Sequence, residues 1–190
     1  MSGDVHVRFC ESVGVRFPGA THLVILCRNE TEARQALEKV QNWTATVGLQ
    51  LHPTKTRIVD ARQPGGFDFL GYHFEGGARW PRRKSLDKLK DTLRAKTRRS
   101  HGYGLPAIIT NLNRTLQGWF GYFQHSRLWT FAKLDRWLRM RLRSILRKRQ
   151  GQRGAGRGID HQRWPNAFFT ECGVFSLVAA HATVRQSSRR

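Results

Sequence analysis

Acidic side chains are scarce in this sequence. Its 190 residues include 13 Asp and Glu against 34 Lys and Arg, so the formal net charge is +21. The imbalance is local, because residues 81–158 hold 21 basic and 3 acidic side chains, whereas residues 1–80 hold 9 and 8. This asymmetry predicts that one segment binds a polyanion and that the other acts as a scaffold.

Cysteine is also sparse, and its three residues, Cys10, Cys27 and Cys172, lie far apart. There is no Cys-x-x-Cys pair and no His at metal-ligand spacing from a cysteine, so no metal site is predicted. Distant, odd-numbered cysteines favour a reducing compartment. With no apolar run of about 18 residues and no signal peptide, the expected location is the cytoplasm, without membrane contact.

Short apolar segments separated by turn residues predict a small sheet in the first 80 residues. Strands are expected at 15–17 and 23–26 around the Pro18-Gly19 turn, and at 56–59. Between them, Asn29 or Thr31 caps a helix that stops at Gly48. The segment FDFLGYHF at 67–74, bounded by glycine pairs, predicts a β-hairpin.

After residue 81 the apolar period becomes helical. The predicted helices start at a Ser85 cap, at Pro106 and at about residue 130, and the last one ends near 149. Projected at 100° per residue, the third helix carries its leucines on one side and four arginines on the other. Residues 150–163, with four glycines among arginines, predict a mobile basic linker, and a short helix should follow.

The basic faces of these helices have two interpretations. Charge runs usually form a solvated surface, but here they lack compensating acids, and arginine suits bidentate phosphate contact. We therefore favour phosphate-backbone binding. The predicted contacts are Lys90, Arg94, Arg98, Arg136, Arg139, Arg143 and Arg147.

Four segments in order resemble bacterial group II intron-encoded proteins, which are reverse transcriptases with a maturase domain. They are GLQLHPTKTRIVD at 48–60, FDFLGY at 67–72, LNRTLQGWFGYF at 112–123 and LDRWLRMRLR at 134–143. The resemblance implies an α+β chain: a small antiparallel palm-edge sheet with one helix at 1–80, a three-helix thumb or maturase-specific domain at 81–149, and a basic linker with a short C-terminal segment at 150–190.

The sequence departs from that family at the catalytic turn. Family members place Tyr-Ala-Asp-Asp between two palm strands, where the aspartates hold Mg²⁺. Here VRFPGATHLVIL occupies that place and supplies no carboxylate. Because two-metal phosphoryl transfer needs hard oxygen ligands, we expect no polymerase activity from this chain alone, no catalytic residue and no cofactor.

Two residues of the first segment have open roles. Lys55 lies in a loop that, in related polymerases, approaches the phosphates of the incoming nucleotide, but it could equally be a solvated turn lysine. Tyr72 lies in a hairpin that resembles the one gripping the primer strand, but its aromatics could equally provide packing. Both are retained as vestigial nucleotide or primer contacts.

The resemblance implies a maturase-like protein that helps a group II intron RNA fold and splice, with Tyr122 stacking on an unpaired base. The expected partner is structured RNA, with DNA as another polyanion. Two alternatives remain. The chain could be part of a split polymerase completed by another polypeptide, or an inactive fragment of a mobile element. Its unpaired sheet edges also leave a homodimer open.

Overall fold

The computed structural model describes residues 5–10, 22–53, 55–156 and 158–187. The chain divides into two compact units, Met1–Arg79 and Trp80–Arg190. The predicted strand at 15–17 and the Pro18-Gly19 turn lie outside the described residues. The α+β class expected from the sequence is confirmed.

The first unit contains a three-stranded antiparallel sheet and one helix. The elements are β1 (Val5–Cys10), β2 (His22–Cys27), α1 (Glu30–Thr46) and β3 (Arg57–Val59). The strand order is β2-β1-β3, so the central strand is one that the apolar pattern did not predict. Asn29 caps α1 as predicted, since its side-chain oxygen accepts a hydrogen bond from the Glu32 amide at 2.8 Å.

The predicted hairpin is confirmed, and it forms part of a second small sheet. Its strands are β4 (Phe67–Phe69), β5 (Tyr72–Glu75) and β6 (Ala78–Pro81), in the order β4-β5-β6. Leu70 and Gly71 make the turn with φ of 45° and 81°. The rings of Phe67 and Phe74 stack across the β4–β5 pair with centroids 5.1 Å apart.

The second unit is helical. Its elements are α2 (Arg83–Lys96), α3 (Leu105–Phe123), α4 (Leu128–Arg149), α5 (Asp160–Arg163), α6 (Asn166–Glu171) and α7 (Leu177–Ser187). The three long helices start within two residues of the predicted positions. The Ser85 cap is wrong, because Ser85 lies in the first turn of α2 and Arg82 is the N-cap residue. No helix of the described residues is long and apolar enough to cross a membrane.

The apolar stripes of α2, α3 and α4 meet in one core, as their periodicity predicts. Leu93, Leu112, Leu116 and Leu142 are all at most 1% exposed. The C-terminal helices complete this core rather than lying outside it. Their contributions are Trp164, Phe169 and Leu177.

A buried carboxylate on α4 holds the last helix. Asp135 is 3% exposed, and its oxygens accept hydrogen bonds from the Leu177 amide at 3.1 Å, the Val178 amide at 3.3 Å and the Ser176 hydroxyl at 2.9 Å. A carboxylate at a helix N-terminus satisfies amides that have no partner inside the helix and interacts favourably with the helix dipole. Asp135 therefore joins α4 to α7.

Replacing Asp135 tests this connection. We expect Asp135→Ala to lower the free energy of unfolding of the second unit by about 2–4 kcal/mol, because buried amides of α7 lose their acceptor. Urea denaturation followed by circular dichroism measures the change. Asp87→Ala is the matched control, since Asp87 is exposed on α2 and its loss should change stability by less than about 0.5 kcal/mol. Equal effects of the two substitutions would contradict the capping role.

Candidate nucleic-acid interface

Two basic helices of the second unit meet at a tryptophan. Arg94 of α2 and Arg141 of α4 both lie over the Trp137 ring, with their guanidinium carbons 5.7 and 5.4 Å from its centroid. Cation–π contact restricts both side chains without neutralising them. We call Arg94, Trp137, Arg141 and the adjacent Arg99 the arginine cluster.

Arg141 is fixed most firmly within this cluster. Its Nε donates to the Thr97 hydroxyl at 2.6 Å, and one Nη donates to the carbonyls of Thr97 at 3.1 Å and Arg94 at 3.3 Å. These acceptors lie at the C-terminal end of α2, where a cation is stabilising. Burial, with further contributions from Arg94 and Arg99, lowers the pKa of Arg141. The cluster is therefore a site of concentrated positive charge.

Several predicted contact residues do lie at the surface. Arg94, Arg98 and Arg136 are exposed, and Lys90 and Arg139 are half-buried. Arg94 pairs with Asp91 at 2.5 Å, but both side chains are at least half exposed, so this ion pair contributes little stability and leaves Arg94 accessible. A second basic–aromatic contact lies on α4, where the Lys133 amine is 4.6 Å from the Trp129 ring centroid.

The placement of Arg143 on the exposed basic face is wrong. Its side chain is buried, with Nε donating to the Trp164 carbonyl at 2.8 Å and one Nη donating to the Asn166 amide oxygen at 2.9 Å. Its guanidinium also lies over the Phe169 ring at 5.1 Å. A guanidinium with these three contacts holds the C-terminal segment onto α4 and is not available to phosphate.

Arg147 is also engaged within the protein, contrary to the prediction. It donates to the Asp160 carboxylate at 2.8 Å and to the Arg153 carbonyl at 2.7 Å, and Asp160 is fully buried. Removing the Arg147 guanidinium would leave the buried Asp160 carboxylate uncompensated. Arg147 is therefore a structural residue that anchors the chain following α4.

These anchors overturn the prediction of a free linker at 150–163. The Gly156 amide donates to the Ser144 hydroxyl at 3.0 Å, so the loop lies directly on α4. A Cβ atom at Gly156 would be 2.4 Å from the Cβ of Arg143, which explains why glycine occupies this position. The glycines here permit close approach of two backbones instead of providing flexibility.

The aromatic candidates have different environments. Tyr122 is 53% exposed on α3 and meets the Phe123 ring edge-on at 4.8 Å, so it lies off the apolar stripe of this helix. Tyr72 is buried against Phe74, with ring centroids 6.0 Å apart, which favours the packing alternative for this residue. Lys55 is exposed in the first unit.

Sequence reasoning missed Arg99 and Arg141 as parts of the cluster. A usable signal was present, because Trp137 and Arg141 are four residues apart and neighbours on a helix face. Local spacing gives no such signal for Arg99, because Arg99 lies beyond the end of α2.

The described residues contain no group of three His, Cys, Asp or Glu side chains that could hold a metal ion. The segment that replaces the family's catalytic turn includes residues 17–21, which lie outside the described part of the chain. As a sequence, that segment (VRFPGATHLVIL) offers no carboxylate to a Mg²⁺ ion.

The distinction between structural and exposed arginines is testable by stability. We expect Arg143→Gln to lower the free energy of unfolding by about 2–4 kcal/mol, because the Trp164 carbonyl and the Phe169 ring lose a buried partner. Arg139→Gln on the same helix is the matched control and should change stability by less than about 0.5 kcal/mol. Thermal and urea unfolding measure both variants. If Arg143→Gln unfolds with the same free energy as the wild type, the Arg143 guanidinium does not anchor the C-terminal segment.

Residues 86–164 match the family described as group II intron, maturase-specific domain. A search of curated proteins found no match. The matched range begins in α2, includes all of α3 and α4, and ends at Trp164, whose carbonyl accepts a hydrogen bond from Arg143. It thus contains the arginine cluster and the loop anchored on α4. Residues 86–164, which lie within the second unit, are therefore similar to a group II intron maturase-specific domain.

Proposed function

We propose that this chain binds group II intron RNA and assists its folding and splicing, while the RNA performs the bond-making steps. The observation that carries the proposal is the arginine cluster, which lies within the range similar to a maturase-specific domain. It places two guanidiniums over one tryptophan, with Arg99 close enough to Arg141 to contribute to its lowered pKa. Fixed guanidiniums without a neighbouring excess of carboxylates suit the phosphates of a folded RNA.

Two exposed arginines are neighbours in the sequence of residues in this cluster. Arg98 follows α2, and Arg136 lies on α4 one residue before Trp137. Each adds a phosphate contact that positions the RNA without reading its sequence. Tyr122 offers an exposed ring for stacking on an unpaired base, which is a common mode of single-stranded RNA recognition.

Binding measured across salt concentrations tests the proposed specificity. We expect the protein to bind a group II intron RNA more tightly than an RNA duplex or a DNA duplex of equal length at every salt concentration. With 6–10 phosphate contacts, all affinities should fall by roughly 10³–10⁵ between 50 and 200 mM salt, on the scale measured for DNA. Equal affinity for all three nucleic acids would overturn the intron-specific role and leave non-specific electrostatics.

Single-charge variants test where the RNA contacts lie. We expect Arg98→Gln and Arg136→Gln each to weaken binding and to reduce the slope of log affinity against log salt by about 1, the loss of one phosphate contact. Arg34→Gln is the control, because Arg34 is an exposed arginine on α1 in the first unit, where basic and acidic side chains nearly balance. Filter binding at several salt concentrations measures all three. If neither Arg98→Gln nor Arg136→Gln changes the slope, the RNA contacts lie on another face of the protein.

A further inference from the structure

A cavity of about 290 Å³ adjoins the arginine cluster. It lies between the C-terminal end of α2, the middle of α4 and the loop that follows α4. Its lining residues are Thr97, Arg99, Met140, Arg141, Ser144, Gly154 and Ala155. None of these is acidic, so two cationic side chains face the cavity without a carboxylate among its walls.

The walls of this cavity are held in place by hydrogen bonds. Arg99 donates to the Gly154 carbonyl at 3.1 Å, which ties the loop to the end of α2. Ser144 donates to the Met140 carbonyl at 3.0 Å and accepts from the Gly156 amide at 3.0 Å, which ties the same loop to α4. A ligand entering the cavity therefore meets a formed site and does not have to order the loop.

The lining of the cavity combines two kinds of chemistry. Arg99 and Arg141 retain N–H groups that make no hydrogen bond to any described residue, since only one Nη of Arg99 and the Nε and one Nη of Arg141 are engaged. Met140 and Ala155 contribute a polarisable thioether and a methyl group. A bare anion would use only the arginines, and an apolar group only Met140 and Ala155.

We propose that this cavity binds a single unpaired nucleotide of the bound RNA, with its phosphate at Arg99 and Arg141 and its base against Met140. This inference rests on the proposed RNA-binding function and assigns one subsite within it. The cavity is at the small end of the range for ligand sites, which suits one nucleotide better than a longer segment. Unpaired bases can leave the stack of a folded RNA, so a bulge provides such a nucleotide.

An RNA hairpin with one bulged nucleotide and its fully paired counterpart test the subsite. We expect the wild-type chain to prefer the bulged RNA by roughly tenfold, the scale of one stacked base. A 2-aminopurine base at the bulge should change its fluorescence on binding. Ala155→Trp, at an exposed position of the cavity wall, should abolish both effects, because it fills the cavity without removing a charge from the protein. Its salt slope for the bulged RNA should fall to the slope for the paired hairpin, since the phosphate contact inside the cavity is lost.

Ala179→Trp is the matched control, since Ala179 is exposed on α7 and does not line the cavity, and it should keep the preference for the bulge. If Ala155→Trp prevents folding, Arg99→Gln replaces it and should reduce the preference by weakening the phosphate contact. A folded cavity variant that keeps the full preference would overturn the subsite. Equal wild-type binding of the bulged and the paired hairpin would also overturn the subsite, while leaving the proposed function intact if the intron RNA is still bound. Failure to bind the intron RNA as well as both hairpins would overturn the function itself.

Discussion

Two buried charges of opposite sign on α4, Asp135 and Arg143, hold the second unit together. Asp135 receives the amides at the start of α7, and Arg143 binds the Trp164 carbonyl and the Asn166 side chain. A buried charge that loses its partners costs several kcal/mol, so the chain after α4 is strongly restrained on it. The anchored loop and the cavity wall that it forms follow from this constraint, whereas Arg141 is fixed separately by its hydrogen bonds to the end of α2.

The same constraint divides the arginines of one helix into two groups. Arg143 and Arg147 are neutralised or hydrogen-bonded inside the protein, whereas Arg136 faces solvent. Arg141 shares properties of both groups. It donates a hydrogen bond to Thr97 at the end of α2, and its charged guanidinium also lines the cavity. Net charge alone therefore overstates the surface that an RNA can use. The remaining exposed guanidiniums matter more individually, since each makes up a larger share of the phosphate contacts.

Local periodicity was sufficient to predict the four long helices α1 to α4 and most of the core, but not the three short helices that follow α4, of which only one was expected. Leu89, Leu134 and Leu142 are buried as their spacing requires, and the Asn29 cap and the 67–74 hairpin are present. The errors at Arg143 and at 150–163 have one physical cause. A projection at 100° per residue assumes a single buried side, but α4 is covered by α2 and α3 and also by the C-terminal segment. The contacts Ser144–Gly156, Arg147–Asp160 and Arg143–Trp164 join residues 12, 13 and 21 positions apart, so a repeat of three to four residues does not reveal them.

Concentrated positive charge also connects stability to binding in this unit. Burial and, after it, the charges of Arg94 and Arg99 lower the pKa of Arg141. The repulsion among these three guanidiniums opposes folding of the free protein. A polyanion that binds the folded unit removes the repulsion and stabilises it by mass action. Because hydrogen bonds within the protein already fix the cluster, little side-chain entropy remains to be lost on binding. The contacts that oppose the charge repulsion in the free unit thus also prepare the surface for RNA.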